Sequence, residues 1–282
     1  MKNCLVLIFL WSCGAAGCYS PRYVYSTPAQ NVPVLAKKGD AEIAAYYSTN
    51  LASRSDDASK NLSVKNNGYD IHAAYAYSRH GALQFSFAGR SETNDGNYLS
   101  RRDSVTIKYR RFMMEAGIGY YQPLHDQQHF NFQFFAGMGT GHYRINEKRP
   151  NTSMSGETNF YHVKALKVYL QPALLVNPYK TFNSGFSSRF SIVKLYDDKS
   201  DYFPQDLDNY KLDSLTRFPV IFWEPAFINS LGFKNIPALR LEFQAVFTFL
   251  LSRNFVDARP FNFSAGIYLD PHVLFKPPLK SK

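Results

Sequence analysis

Leu239-Arg240-Leu241-Glu242-Phe243-Gln244-Ala245-Val246-Phe247-Thr248-Phe249 is the stretch that decides the fold. Along it, one set of alternate positions is wholly apolar, and the other set carries the charged and polar side chains. Successive side chains of a β-strand point to opposite faces, so a period of two indicates a strand with one apolar and one polar face. We assign Leu241, Phe243, Ala245 and Phe247 to lipid, and Glu242, Gln244 and Thr248 to a polar lumen.

The same alternation recurs along the chain, most clearly in residues 69–77, 83–87, 130–134 and 261–267. Ten segments can supply the ~9–11 residues that a tilted strand needs to cross a bilayer. The fourth changes parity near Arg111 and Phe112, which predicts either a β-bulge or a strand that continues beyond the membrane. The ten predicted strands are 41–49, 69–78, 82–90, 105–121, 129–144, 160–175, 184–195, 218–230, 238–250 and 261–269.

The connections between these strands alternate in length. The short ones begin with Arg79-His80-Gly81, whereas 50–68, 91–104 and 196–217 are long and polar. Long outer loops that alternate with short periplasmic turns are typical of outer-membrane barrels. The sequence therefore predicts an all-β fold, an antiparallel up-and-down (meander) β-barrel of about ten strands over residues 40–270, with its long loops at the cell surface.

Composition supports a barrel in a membrane. The chain has 24 phenylalanines and 20 tyrosines, yet its mean hydropathy is −0.31. Lipid-facing and lumen-facing residues of a transmembrane barrel alternate and offset each other in this way. Charges on the polar face are expected to pair across a narrow lumen. The residues assigned to the lumen are Asp70, Arg90, Lys108, Arg110, Glu115, Arg189, Glu224, Arg240 and Glu242.

The amino terminus predicts export and lipid attachment. Lys2 precedes an apolar run at residues 5–11, and small residues then lead to Cys18, an order that resembles the bacterial lipobox. We expect residues 1–17 to be a signal peptide, Cys18 to be acylated, and residues 18–39 to form a lipid-anchored segment that starts in the periplasm. Cys13 is the alternative acylation site, and an ordinary secretory signal is the alternative to both. Residues 271–282 are assigned to a C-terminal tail.

Several short motifs resemble one family. They are the runs 19–25 and 31–35, the turn Lys38-Gly39-Asp40, Phe222-Trp223-Glu224-Pro225-Ala226 and the closing strand 261–269. Together they resemble uncharacterised outer-membrane β-barrel proteins of Bacteroidetes-type bacteria. The resemblance implies a fold and a compartment, and it carries no catalytic residues.

Motifs for catalysis are missing from the sequence. It contains no Gly-x-Ser-x-Gly elbow, phosphate loop or dinucleotide fingerprint, and its histidines lack metal-binding spacing on one strand face. His125 and His129 flank a turn and are expected to be solvated. We therefore predict no enzymatic activity, no cofactor and no metal.

The net charge of +10 indicates that the protein attracts anionic partners. We interpret it as attraction to lipopolysaccharide phosphates and not to nucleic acid, because these phosphates are the anions nearest to an outer-membrane protein. The predicted contact cluster is Arg101, Arg102, Lys108, Arg110 and Arg111.

Three functional hypotheses follow. The first is a non-catalytic outer-membrane barrel lipoprotein with a structural, adhesive or ligand-binding role through its loops. The second is a soluble, lipid-tethered, lipocalin-like barrel with its aromatic face inside. The third is an outer-membrane lipid-modifying enzyme that uses His142 or His162. Beyond lipid and lipopolysaccharide, the expected partners are the barrel-assembly and lipoprotein-sorting machineries.

Overall fold

The computed structural model describes residues 22–50, 63–96, 105–124, 129–149, 158–178, 181–252 and 256–271. Long strands dominate this part of the chain. The elements are β1 Tyr25–Ser26, β2 Ala41–Thr49, β3 Ser63–Ala76, β4 Gly81–Gly96, β5 Val105–Leu124, β6 Phe130–Lys148, β7 Thr158–Val176, β8 Phe182–Ser200, α1 Pro204–Asn209, β9 Val220–Phe233, β10 Ile236–Phe247, β11 Phe249–Leu250, β12 Ala258–Arg259 and β13 Phe261–Leu269.

Ten of these strands form a closed ring. From β2 to β10 each long strand pairs with its predecessor and successor, and β13 lies between β10 and β2. All of these pairs are antiparallel. The predicted ten-stranded antiparallel up-and-down barrel is confirmed, and closure leaves the ring without a free edge.

The strands extend further than predicted at the long-connection end. β3 begins at Ser63, β4 continues to Gly96 and β8 continues to Ser200. These extensions are polar on both faces, so hydrophobic alternation does not reveal them. The long connections are correspondingly shorter than the predicted loops.

The predicted bulge in the fourth segment is wrong. β5 pairs with both β4 and β6 without a register shift. The correct alternative is a strand that continues beyond the apolar belt, since Ile107 and Tyr109 lie inside the barrel in line with Arg111 and Glu115. Lys108 and Arg110 therefore face outwards, which corrects their assignment to the lumen.

An apolar belt surrounds the outside of the barrel. On β7 its exposed or half-buried positions run from Leu166 to Val176, ten residue steps. At ~3.3 Å per residue and a tilt of ~40°, ten steps rise ~25 Å, which is the height of the apolar band of outer-membrane barrels. Tyr75 and Tyr120 lie near its short-turn margin, and Tyr69 and Trp223 near the other. No helix in the described ranges is long and apolar enough to cross a membrane.

The inside of the barrel is polar and balanced in charge. Its described buried residues include seven carboxylates and seven cationic side chains. Glycines on the inner face of neighbouring strands leave room for large side chains there; a Cβ at Gly117 would lie 2.6 Å from Tyr169 Oη. The carboxylates are Glu42, Asp70, Glu92, Glu115, Glu147, Glu224 and Glu242, and the cations are Arg22, Arg90, Arg111, Lys167, Arg189, Arg240 and Arg259.

Candidate functional site

Residues 22–36, here called the plug, run through the barrel from one end to the other. Most of them are buried. At the long-connection end, Arg22 N donates to Asp257 Oδ2 over 2.9 Å. At the short-turn end, just beyond the plug, Gly39 N donates to Ala76 O over 2.8 Å. The lumen is thus occupied by the chain's own N-terminal segment.

Apolar residues of the plug fill the short-turn end. Leu35 packs with Tyr121 and Phe135, and Val32 packs with Leu175 and Ile228. The Asn-Val-Pro-Val-Leu run at residues 31–35 therefore has a physical role, since its aliphatic side chains close this end of the lumen.

Barrel amides supply the hydrogen bonds that the plug needs. Within the described parts of the chain, only β1 of the plug pairs with another strand, β12. Other backbone groups bond to side chains of the wall: Gln171 Nε2 donates to Asn31 O over 2.7 Å, and Asn131 Nδ2 donates to Leu35 O over 2.7 Å. Buried backbone groups need such partners, so inward-facing Asn and Gln suit a wall around an extended segment.

Tyr25 connects the plug to the centre of the barrel. Its hydroxyl donates to Glu224 Oε1 over 2.6 Å and accepts from Lys167 Nζ over 3.0 Å. Its ring is stacked on Phe222 with 4.4 Å between centroids. Two of the motifs that carry the family resemblance, residues 19–25 and 222–226, therefore contact each other.

A buried network of alternating charges surrounds this contact. Lys167 Nζ lies 2.9 Å from Glu115 Oε1 and 3.4 Å from Glu224 Oε2. Arg189 Nη1 lies 3.0 Å from Glu115 Oε2, and Arg189 Nε donates to Gln171 Oε1 over 2.8 Å. Each charge has an opposite partner, which offsets the large cost of removing it from water. The network joins strands on different sides of the ring through the lumen.

A second charge network lies closer to the long connections. Arg90 binds both carboxylate oxygens of Asp70, at 3.0 and 2.8 Å. Glu92 accepts from Arg111 Nη1 over 3.0 Å and also pairs with Arg259. Arg111 also donates to the backbone carbonyls of residues 23 and 24 in the plug. This network therefore holds the half of the plug that is nearer to the long connections.

Arg240 and Glu242 have neutral hydrogen-bond partners near the short turns. Arg240 Nη1 donates to Pro178 O over 2.8 Å. Glu242 Oε1 accepts from Tyr46 Oη over 2.8 Å and from Gln244 Nε2 over 2.9 Å. Gln244 Nε2 also lies 2.9 Å from Gln30 O.

Glu147 binds the end of the plug that lies nearest to the long connections. Its Oε2 accepts from Arg22 Nη2 over 2.8 Å and from Tyr202 Oη over 2.9 Å, and its Oε1 accepts from Arg149 Nε over 2.7 Å. Burial alone would raise the pKa of Glu147, but the positive charge of Arg22 and Arg149 lowers it overall. The guanidinium of Arg22 also lies 3.7 Å from the ring centroid of Tyr210.

The connection between β8 and β9 closes the barrel at its long-connection end. It carries α1, and it buries Leu212 and Leu215 in one apolar cluster with Ile145 and Tyr161 of the barrel wall. The same cluster contains Tyr25 of the plug. The plug is thus covered by folded chain at this end.

The structure locates the predicted lumen residues as follows. Those inside are Asp70, Arg90, Glu115, Arg189, Glu224, Arg240 and Glu242. Arg111, predicted to contact lipopolysaccharide, is also inside, because it shares the parity of Glu115 along β5. Sequence reasoning missed Lys167, Glu92 and the plug. The signal that would have found Lys167 is its place in the period of two along β7, where it alternates with the apolar residues Leu166 and Val168.

Four basic side chains, here called the basic row, cross the outer surface of β5 to β8. Arg110 pairs with Arg144, Arg144 with His162, and His162 with Lys199. Like charges directly opposite each other on neighbouring strands destabilise a sheet unless an anion lies between them. The row lies just beyond the apolar belt on the long-connection side, since Phe112 and Leu166 follow it towards the short turns.

A groove of about 460 Å³ lies beside the basic row. Its lining includes Phe112, His142, Arg144 and Lys164, and Lys164 Nζ is paired with Asp197 Oδ2 at 2.6 Å. Within the described chain, neither His142 nor His162 is hydrogen-bonded to a serine or a carboxylate. The groove combines an apolar floor with cations, which suits an amphiphilic anion.

Some predicted residues lie outside the described ranges. These are the signal peptide, Cys13, Cys18, Arg101, Arg102, His125 and most of the C-terminal tail. His129 Nδ1 lies 3.0 Å from Asn177 Oδ1. Within the described residues, no cluster of three or more His, Cys, Asp or Glu side chains could hold a metal ion.

No family model matches the chain, and no curated protein matches it either. Among solved structures, it is similar to the translocator domain of autotransporter NalP from Neisseria meningitidis, with 10% identity, 82% of this chain and 88% of that chain covered, and a TM-score of 0.49.

Two further solved structures are similar. The outer membrane protease OmpT from Escherichia coli has 11% sequence identity and a TM-score of 0.42, with 82% of this chain and 94% of that chain covered. The outer membrane protein OprG from Pseudomonas aeruginosa has 11% sequence identity and a TM-score of 0.33, with 83% of this chain and 96% of that chain covered. The strand register of this chain itself establishes the barrel fold.

Proposed function

We propose that the chain is a non-conducting outer-membrane β-barrel lipoprotein that acts through its outer end, in a structural, adhesive or ligand-binding role and without catalysis. The filled lumen carries this proposal. The plug occupies the space through which a solute would pass, and the Tyr25 to Glu224 contact lies in the middle of that path.

The apolar belt supports a membrane location. Phe227 is 52% exposed and Leu166 is 48% exposed on the outside of the barrel, with no described protein segment over them. A lipocalin-like cup requires the opposite arrangement, an apolar interior for its ligand and a polar outside. The polar, filled lumen therefore favours the membrane barrel over the soluble alternative.

Conductance tests the proposal. Purified protein inserted into a voltage-clamped planar bilayer should give no steady ohmic current. The comparison is Tyr25→Ala, which removes a large side chain from the lumen and is expected to give small, transient openings. A stable open pore in the wild-type protein would show that the plug does not fill the lumen in a bilayer, and the outer-end role would lose its support.

Acylation of Cys18 belongs to the same proposal. Small residues precede this cysteine, as the lipoprotein signal requires. Cys18→Ser should abolish incorporation of a labelled fatty acid, and Cys13→Ser should leave it unchanged. Loss of label only with Cys13→Ser would place the acyl group on Cys13. As a lipoprotein and a barrel, the chain would depend on both the lipoprotein-sorting and the barrel-assembly machineries.

The basic row supports lipopolysaccharide as a partner. Arg110 and Arg144 face outwards beside the margin of the apolar belt, at the level where lipid phosphates lie if the long connections face the cell exterior. Basic residues near an anionic membrane surface are each worth about 1 kcal/mol. The proposed contact set is therefore Lys108, Arg110, Arg144 and Lys199, with Arg101 and Arg102 as further candidates, and it excludes Arg111.

A further inference from the structure

The direction of the plug fixes the side on which the N-terminus leaves the barrel. β2 begins at Ala41, beside the short turns, because Ala41 pairs with Tyr75 near the end of β3. Going back along the chain, Leu35 bonds to Asn131 near the start of β6, Tyr25 bonds to Glu224 in mid-barrel, and Arg22 bonds to Glu147 near the end of β6. The chain thus crosses the whole lumen once before its first barrel strand.

We infer that the N-terminal end emerges on the same side of the membrane as the long connections, so that an acyl group on Cys18 is displayed at the outer surface. Arg22 contacts two of those connections, through Asp257 and Tyr210. This inference rests on the orientation in the proposed function, in which the long connections face the cell exterior. In that orientation the N-terminal end also lies at the cell exterior. It is opposite to the periplasmic start predicted from the sequence.

Chain length excludes a return to the other side while the plug is seated. Cys18 precedes Arg22 by four residues. Four residues reach at most ~14 Å, and the apolar belt alone is ~25 Å high. Three residues of the outer half of the plug are also held by separate groups: Arg22 by Glu147, Tyr25 by Glu224 and Thr27 by Thr248.

The order of assembly follows from the same geometry. A diacylated N-terminus is too bulky and too apolar to thread through a closed, ten-stranded, polar lumen. The strands must therefore close around the plug, with the N-terminal end already at the outer mouth. Inward Asn and Gln side chains such as Asn131 and Gln171 bond to plug backbone, so the seated segment helps to complete the wall.

Cysteine labelling on intact cells tests the inference. Three single variants, Ser20→Cys, Ser100→Cys and Arg79→Cys, place a thiol before the plug, in a long connection and in a short turn. Each is treated with a membrane-impermeant maleimide before and after permeabilisation, and the parent chain serves as the blank. Ser20→Cys should behave like Ser100→Cys, with equal labelling under both conditions, whereas labelling of Arg79→Cys should rise at least tenfold on permeabilisation.

The outcomes separate the inference from the proposed orientation. If the labelling of Ser20→Cys instead rises on permeabilisation, as that of Arg79→Cys does, the inference is overturned and the orientation stands. If Arg79→Cys is labelled on intact cells and Ser100→Cys is protected, the orientation in the proposed function fails. In that case the inferred shared side holds only if Ser20→Cys is protected as well. The unboiled gel mobility of each variant checks that its folding is intact.

Discussion

Tyr25 of the plug donates its hydroxyl hydrogen to Glu224 of β9 over 2.6 Å, almost two hundred residues away along the chain. Lys167 lies within 3.4 Å of the same carboxylate. One contact therefore joins the segment before the barrel to the charge network inside it. This arrangement makes the lumen a packed core and not a water-filled channel.

The Lys167 to Glu224 pair should stabilise the barrel measurably. Lys167→Met leaves Glu224 without its cation, and breaking one side of a buried ion pair costs about 3–5 kcal/mol. The double variant Lys167→Met/Glu224→Gln should recover part of that loss, because neither buried charge remains unpaired. Urea titration of the protein in lipid vesicles measures both. Lys199→Met, on the exposed outer face, is the control and should change stability by less than about 0.5 kcal/mol.

Acid should loosen the outer end of the plug. The pKa of Glu147 is lowered in the folded protein, despite burial, by Arg22 and Arg149. A carboxyl with a depressed folded-state pKa contributes stability above its ordinary pKa and loses it as the pH falls through the depressed value. Corrected for the intrinsic exchange rate at each pH, the protection of residues 22–27 against hydrogen exchange should therefore be high at neutral pH and fall below about pH 4. In Glu147→Gln the exchange should be faster at neutral pH and should no longer show this acid-dependent step.

A charge on the apolar belt should weaken insertion. Phe243 is 39% exposed on the outside of β10, so Phe243→Arg places a cation in hydrocarbon at a cost of about 2–4 kcal/mol. Asn67→Arg, exposed on the outer face of β3 towards the long connections, is the control. Gln244 is unsuitable as a control, since it bonds to Gln30 and Glu242. Equal folding yields of the two arginine variants in bilayers would argue against the membrane location.

Removal of the two arginines of the basic row should weaken binding to lipopolysaccharide without destabilising the barrel. Arg110→Ser/Arg144→Ser removes two cations near the proposed phosphate level, which is worth about 2 kcal/mol or roughly a 30-fold rise in Kd. The two arginines are directly paired, so their loss also removes a repulsion and stability should not fall. Lys234→Ser, at the short-turn end, is the control. An unchanged Kd for purified lipopolysaccharide in the double variant would exclude the row as its site.

Alternation along the chain was sufficient to predict the barrel. All ten strands were found because one face of each meets a uniform apolar surrounding, and this leaves a period of two in the sequence. The polar extensions of β3 and β4 were missed because both of their faces lack that surrounding. The face of Lys108 and Arg111 was misjudged for a related reason, since the apolar residues of β5 change from outside to inside where the strand leaves the belt.

The plug could not be predicted in the same way. It is extended and almost fully buried, so its side chains have no polar and apolar sides to alternate. Its partners are single amides and carboxylates from many strands, such as Gln171 and Glu224, and such pairings leave no local pattern. The inward Asn and Gln residues of the wall were visible in the sequence, but they are equally compatible with a wet lumen.

A designed disulfide tests most directly whether the plug occupies the lumen. Thr27 Oγ1 and Thr248 Oγ1 are 2.6 Å apart, and the chain has no cysteine after Cys18. Thr27→Cys/Thr248→Cys should therefore cross-link almost completely when the protein is isolated under oxidising conditions, closing a loop of more than two hundred residues that shifts the mobility of the denatured chain. Thr27→Cys/Phe247→Cys, in which the second cysteine faces outwards, should remain reduced. Absence of the link in the first variant, or equal linking in both, would contradict a barrel that is closed by its own N-terminal segment.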